Sequence, residues 1–157
     1  MARPLRQGEQ MATIGGSSAA VLLLMLMAVG PAKDLKPREI TVVANDYTFM
    51  PLPQIQSGPT VFSFVNQGKV DHEVAIVRLK TTSNVETYVK TPPGPDRRAQ
   101  VERTVGVLIA GPGTRPDGKL WVELAKGATY VVLCNFRDKP DAPQHVAMGM
   151  YTTFIPR

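Results

Sequence analysis

The chain holds few side chains able to coordinate a soft or borderline metal, and their placement is uneven. After residue 33 they are His72, Cys134, His145, Met50, Met148 and Met150. Cys134 closes the apolar run Tyr-Val-Val-Leu-Cys, and His145 follows across a loop carrying Pro140 and Pro143. Met150 lies a little further on, directly after Gly149, and His72 stands alone upstream, after Asn66-Gln67-Gly68. Two imidazoles, a thiolate and a thioether form the trigonal donor set with a weak axial Met that suits copper in electron transfer. The thiolate gives covalent donation, and a long thioether bond keeps both copper oxidation states accessible.

Elements must bring these donors together, and after Lys33 the hydrophobic period is closer to two than to 3.6. Short β-branched and aromatic runs, separated by Gly, Pro, Asn and Asp, predict strands over 39–44, 60–66, 72–79, 120–124, 129–134 and 146–155. Residues 47–50 add a short strand before Pro51 and Pro53. Six or seven short strands imply a sandwich or barrel. Residues 80–118 lack a clean strand pattern, and Ser83 with Glu86 three residues on reads as a capping box for a helical turn or two over 83–90. His145 and Met150 differ by an odd number, as do His145 and Met148, so neither pair shares a face of a regular strand. His145 is therefore expected in the loop or at a distorted strand entry, and parity alone leaves Met148 and Met150 both open.

The N-terminus places Arg3 and Arg6 before an apolar run from Ala19 to Val29, then Gly30-Pro31-Ala32 and charged Lys33. This is an export-signal layout with cleavage expected after Ala32. The run is well short of the roughly 20 residues a membrane-spanning helix needs, so an uncleaved anchor is the lesser alternative. The sequence thus divides into a signal peptide, 1–32, and one domain, 33–157, destined for the periplasm or the exterior.

Composition narrows the rest. At 157 residues, with 43% hydrophobic and 20% charged, the chain suits one globular core and excludes a mostly disordered polymer. The net charge of +5 comes without a basic run, so nucleic acid is not an expected partner. One Cys excludes an intrachain disulfide. Cys134 and His145 lack the third orienting group of a nucleophilic hydrolase, and "GPGTRPDG" over 111–118 has no phosphate-loop lysine and reads as a turn. Arg97, Arg98 and Arg103, interleaved with Asp96 and Glu102, read as a solvated connector.

The stretch "GATYVVLCNFRDKPDAPQHVAMGMYTTF" over 127–154 resembles the C-terminal ligand segment of the cupredoxins, the plastocyanin and azurin superfamily. The upstream "FSFVNQGKVDHEVAIV" over 62–77 resembles their first ligand segment, in which an Asn-rich turn precedes a His at a strand head. The "His…Gly-Met" ending is most similar to a secreted branch of that superfamily. The resemblance implies an all-β Greek-key sandwich with one long connector that has room for a short helix. It implies one type 1-like copper held by His72, Cys134, His145 and Met150, with Met50 left to packing. The implied function is one-electron transfer between redox partner proteins, not enzymatic catalysis, with an imidazole edge near the surface as the electron's way out. A copper carrier or sensor with the same ligands, and a metal-free interaction module, are the competing readings. The loop from Cys134 to His145 is longer than in plastocyanins or azurins, which raises the question of how it is held.

Overall fold

A computed structural model describes residues 36–157. The signal peptide expected over 1–32, its apolar run included, lies outside the described residues. Strands β1 (Arg38–Asn45), β2 (Thr48–Phe49), β3 (Gly58–Asn66) and β4 (His72–Leu79) are followed by helices α1 (Val85–Lys90) and α2 (Pro95–Ala99). Then come β5 (Val101–Ala110), β6 (Leu120–Leu124), β7 (Tyr130–Leu133), a 3-10 turn (His145–Met148) and β8 (Tyr151–Phe154). One sheet has the order β2-β1-β3-β6 and the other β5-β4-β7-β8. The pair β1 and β3 is parallel, and the remaining pairs are antiparallel.

The alternation in β3 explains its place. Thr60, Phe62, Phe64 and Asn66 face inward, while Ser63 and Val65 are only partly covered on the other side. Phe62 and Phe64 meet Val42, Val74, Ile76, Val132 and Phe154 in the core between the sheets, and the Tyr130 ring stacks on Phe154 at 5.0 Å. Strand β7 and the Val-Ala-Ile-Val stretch of β4 instead read as continuous apolar runs because both of their faces are covered. On the outer face Ala75, Val77, Leu79, Val131 and Leu133 pack under Tyr88 and Val89 of α1 and under Val146.

Three elements differ from the sequence reading. The segment 80–118 contains β5, which pairs with β4 from His72↔Ala110 to Leu79↔Val101. Its apolar alternation is hidden because it is an edge strand with charged Glu102 and Arg103 exposed at its start and Gly106 at its middle. A side chain at 106 would place its Cβ 2.6 Å from Leu120 Cδ2, where β5 closes against β6. The cap of α1 is Asn84, not Ser83: Asn84 Oδ1 accepts from Thr87 N at 3.1 Å, while Ser83 donates its hydroxyl to Gln100 O. The strand expected over 146–155 is shortened to β8, because residues 145–148 form a 3-10 turn that ends on Gly149 in the left-handed conformation, φ 100°.

Candidate metal centre

His72 heads β4, and its position is fixed by the turn before it. Asn66, fully buried at the end of β3, directs Nδ2 to the carbonyls of Val70, Ala110 and Gly111 and accepts from Gly68 N with Oδ1. Gly68 lies so close to the β1–β2 hairpin that a Cβ there would sit 2.5 Å from Asp46 Oδ1 and 3.1 Å from its backbone nitrogen. The Asn-Gln-Gly signal in the sequence is therefore a close-packed corner, pinned by one buried amide, that delivers His72 into the sandwich.

Cys134 follows the last residue of β7 and is fully buried in the core. Its thiol accepts from Glu73 N at 3.4 Å. The 134–145 loop is tied back to it by short backbone bonds: His145 N donates to Phe136 O at 2.9 Å, and Val146 N donates to Cys134 O at 2.8 Å. Side chains add to this closure. Gln144 Nε2 donates to Asn135 O at 2.9 Å, and Arg137 Nη1 bonds the carbonyl of Ala142. The length of the loop is thus taken up by internal hydrogen bonds, which answers the question its span raised.

The three donors converge at one end of the core. Nδ1 of His72 and Nδ1 of His145 are 3.2 Å apart, and Cys134 Sγ lies 3.8 Å from the first and 3.4 Å from the second. All three residues are fully buried. The centre of that triangle is about 2.0 Å from each corner, close to the lengths of metal–imidazole and metal–thiolate bonds. Two nitrogens and one sulfur in this arrangement fit a trigonal copper site.

The six possible donors of the sequence reading separate as follows. His72, Cys134 and His145 are together, and Met150 is fully buried in the same core, its carbonyl accepting from Cys134 N at 3.2 Å. His145 lies on the 3-10 turn, as its odd spacing to Met150 requires. Met148 is turned outward and 42% exposed. Met50, expected to pack, is instead 47% exposed, and its Sδ accepts from Asn45 Nδ2 at 3.3 Å. It follows the two-residue β2 just before Pro51, where the chain leaves the sheet, so no facing surface covers it.

Around the donors the two rings are treated differently. His145 Nε2 lies 3.0 Å from Asp138 Oδ1, and the carboxylate's other oxygen accepts from Tyr47 Oη at 2.7 Å. Asp138 is held below the usual carboxylate range, first by the Tyr47 hydroxyl and also by His145, so it stays an anion that accepts from Nε2–H. The proton on Nε2 leaves the Nδ1 lone pair aimed at the cluster. Tyr47 occupies the left-handed region at φ 59°, rare for an aromatic residue, and stands edge-on to the His145 ring at 5.0 Å. Nothing in the sequence marked Tyr47 or Asp138, which lie 91 residues apart. His72 Nε2, by contrast, is buried and has no hydrogen-bond partner among the described residues, with Asp46 Oδ1 at 3.9 Å. Burial, and next the neighbouring His145, lower the His72 pKa, while burial raises that of the Cys134 thiol. The imidazole edge expected at the surface is not there, since both rings are covered and the groups against His145 that reach solvent are Tyr47 and Asp138, each about one-third exposed.

The residues that follow or precede the donors form a second network. Asn135 donates to Glu73 Oε1 from both its backbone nitrogen, at 2.9 Å, and its Nδ2, at 2.8 Å. Since Glu73 follows His72, Asn135 follows Cys134 and Gln144 precedes His145, these three side chains clamp together the segments that carry the donors. Arg97 Nη1 donates to Asn135 Oδ1 at 3.2 Å, so Arg97 belongs to this buried layer and not to the solvated connector expected for it.

Two four-stranded sheets with a buried triangle of two nitrogens and a sulfur at one end make a β-sandwich whose donors fit a metal ion. The fold is that of the cupredoxins. Among solved structures the chain is similar to auracyanin B, with a TM-score of 0.52 and 20% identity over 79% of this chain and 92% of that one. It is also similar to the azurin Az-iso2 of the obligate methylotroph Methylomonas sp. strain J, with a TM-score of 0.50 and 18% identity over 78% of this chain and 99% of that one. No family model matches the chain, and no curated protein matches its sequence.

Proposed function

We propose that the protein is an exported one-electron carrier of the blue-copper kind, with His72, Cys134 and His145 holding one copper ion and Met150 as its axial neighbour. The observation that carries this is the buried triangle of two Nδ1 atoms and one Sγ, whose edges of 3.2, 3.4 and 3.8 Å suit a trigonal copper ion. Copper bound there would supply reversible one-electron oxidation and reduction. The chain's own part is to hold the donors still and dry. Asn66 fixes the approach to His72, the 134–146 backbone bonds fix Cys134 against His145, and Asp138 fixes the tautomer of His145. A donor set that barely moves limits reorganisation between the two oxidation states.

Burial of all three donors supports a carrier over an enzyme, because it leaves no access for a substrate. The closed hydrogen bonding of the 134–146 loop supports a carrier over a copper-delivery protein, which must release its ligands. Export rests on the Arg3 to Ala32 pattern, and the redox partners would be proteins met outside the cytoplasm. They would approach the partly exposed Tyr47 and Asp138, which cover His145.

The test is the visible spectrum of the copper-reconstituted oxidised protein. An intense thiolate-to-copper charge-transfer band, absent in Cys134→Ser, is expected. A copper-loaded oxidised protein without that band, or full colour in the serine variant, refutes the assignment.

A further inference from the structure

A cavity of about 540 Å³ lies against the second sheet. Arg97, Arg98, Asn135 and Gln144 contribute its polar wall, and Val77 and Val101 part of its apolar wall. Arg97 is 6% exposed, yet among the described residues it has no carboxylate within ion-pair distance. Its guanidinium lies over the Tyr88 ring at 4.8 Å and gives Nη1 to Asn135. Among the described residues neither Nε nor Nη2 has a hydrogen-bond partner, and both are covered, so the side chain must shift to present them to the cavity. These two nitrogens form one edge of the guanidinium, the edge that accepts a carboxylate through two parallel hydrogen bonds. A buried cation left with most of its donors unmade is costly, and such groups are normally paired or bound to a ligand.

We propose that this cavity binds a small monocarboxylate, its carboxylate on the Nε and Nη2 edge of Arg97 and its apolar body against Val77 and Val101. No carboxylate competes from within the cavity, since Glu73 already accepts twice from Asn135, which stands between it and Arg97. Nearby Arg98 adds positive charge at the wall. The cavity also touches the layer behind the donors, because Asn135 and Gln144 adjoin Cys134 and His145 in the chain. The site stands on Arg97 and the cavity, independently of whether copper is bound.

Benzoate is a suitable probe, with benzamide as a neutral molecule of the same shape. In a titration of the full chain followed by amide chemical shifts, benzoate is expected to perturb Arg97, Asn135 and Gln144, and benzamide to bind at least tenfold more weakly. Arg97→Gln should weaken benzoate at least tenfold. Thr104→Trp fills the cavity from an exposed position of β5, where an aromatic residue suits a strand, and should weaken it similarly in a protein folded like the parent. Equal binding of benzoate and benzamide, benzoate binding unchanged in Thr104→Trp, or shifts confined to residues outside this cavity would each overturn the proposal.

Discussion

Asp138 is where the organisation of the metal centre can be tested without touching a donor. Among the described residues it is the one hydrogen-bond partner of His145 Nε2, at 3.0 Å, and the His145 side chain is 1% exposed, so water reaches Nε2 only from the side the carboxylate now covers. Asp138→Ala leaves a buried N–H without an acceptor and removes the reason for the proton to sit on Nε2. Part of the population then carries the proton on Nδ1, where it blocks the lone pair that faces the cluster. Loss of such a partner costs about 10–100-fold in metal affinity. Asp138 is itself one-third exposed, and water can partly follow its removal, so a loss of about tenfold for alanine is expected, at the lower end of that range. Asp138→Asn keeps a carbonyl acceptor without the charge and should fall between parent and alanine. Tyr47→Phe keeps the His–Asp bond and should lose least. Copper affinities from competition with a chelator at fixed pH give the order directly. Equal affinity in the parent and Asp138→Ala would refute the argument that this carboxylate sets the His145 tautomer, while leaving the donor assignment standing.

Other outcomes follow from the same geometry. Asn66→Ala leaves carbonyls of Val70, Ala110 and Gly111 without their amide donor, at least one in a buried setting, and should destabilise the protein by about 2–4 kcal/mol in urea unfolding. Met150→Leu replaces a buried thioether by a hydrocarbon of similar volume, so it should retain copper, cost less than about 1.5 kcal/mol in stability and shift the reduction potential upward in voltammetry. The metal-free protein should be most stable between two limits. His72 has a depressed pKa in the fold, so as pH falls below the ordinary 6.5 the unfolded chain takes the proton first and stability drops. Cys134 has a raised pKa, so above the ordinary 9.0 the unfolded thiol ionises first and stability drops again. Melting temperatures across pH 5 to 10 check both arms, and copper loading should suppress both because the bound ligands no longer titrate.

Strands whose pattern is local are legible in the chain before it folds. β4 and β6 can be read to the residue, and β3 nearly so, because period-two alternation or an unbroken β-branched run is written in neighbouring residues. The donor types are equally plain, since the chain has one Cys and two His. Other features have long-range causes and emerge only on packing. Strand β5 exists because β4 offers it an edge to pair with, although Gly106 and the charges of residues 102–103 mask its pattern. Arg97 is buried because α2 lies on the sheet, whatever the polarity of its neighbours. Which of Met148 and Met150 is buried follows from the turn at His145–Met148, which leaves the first exposed and places the second in the core. The Tyr47–Asp138–His145 chain joins a strained hairpin residue to a loop 91 positions away. Local pattern records which face of an element is apolar; which residues meet across the fold depends on where every other element packs.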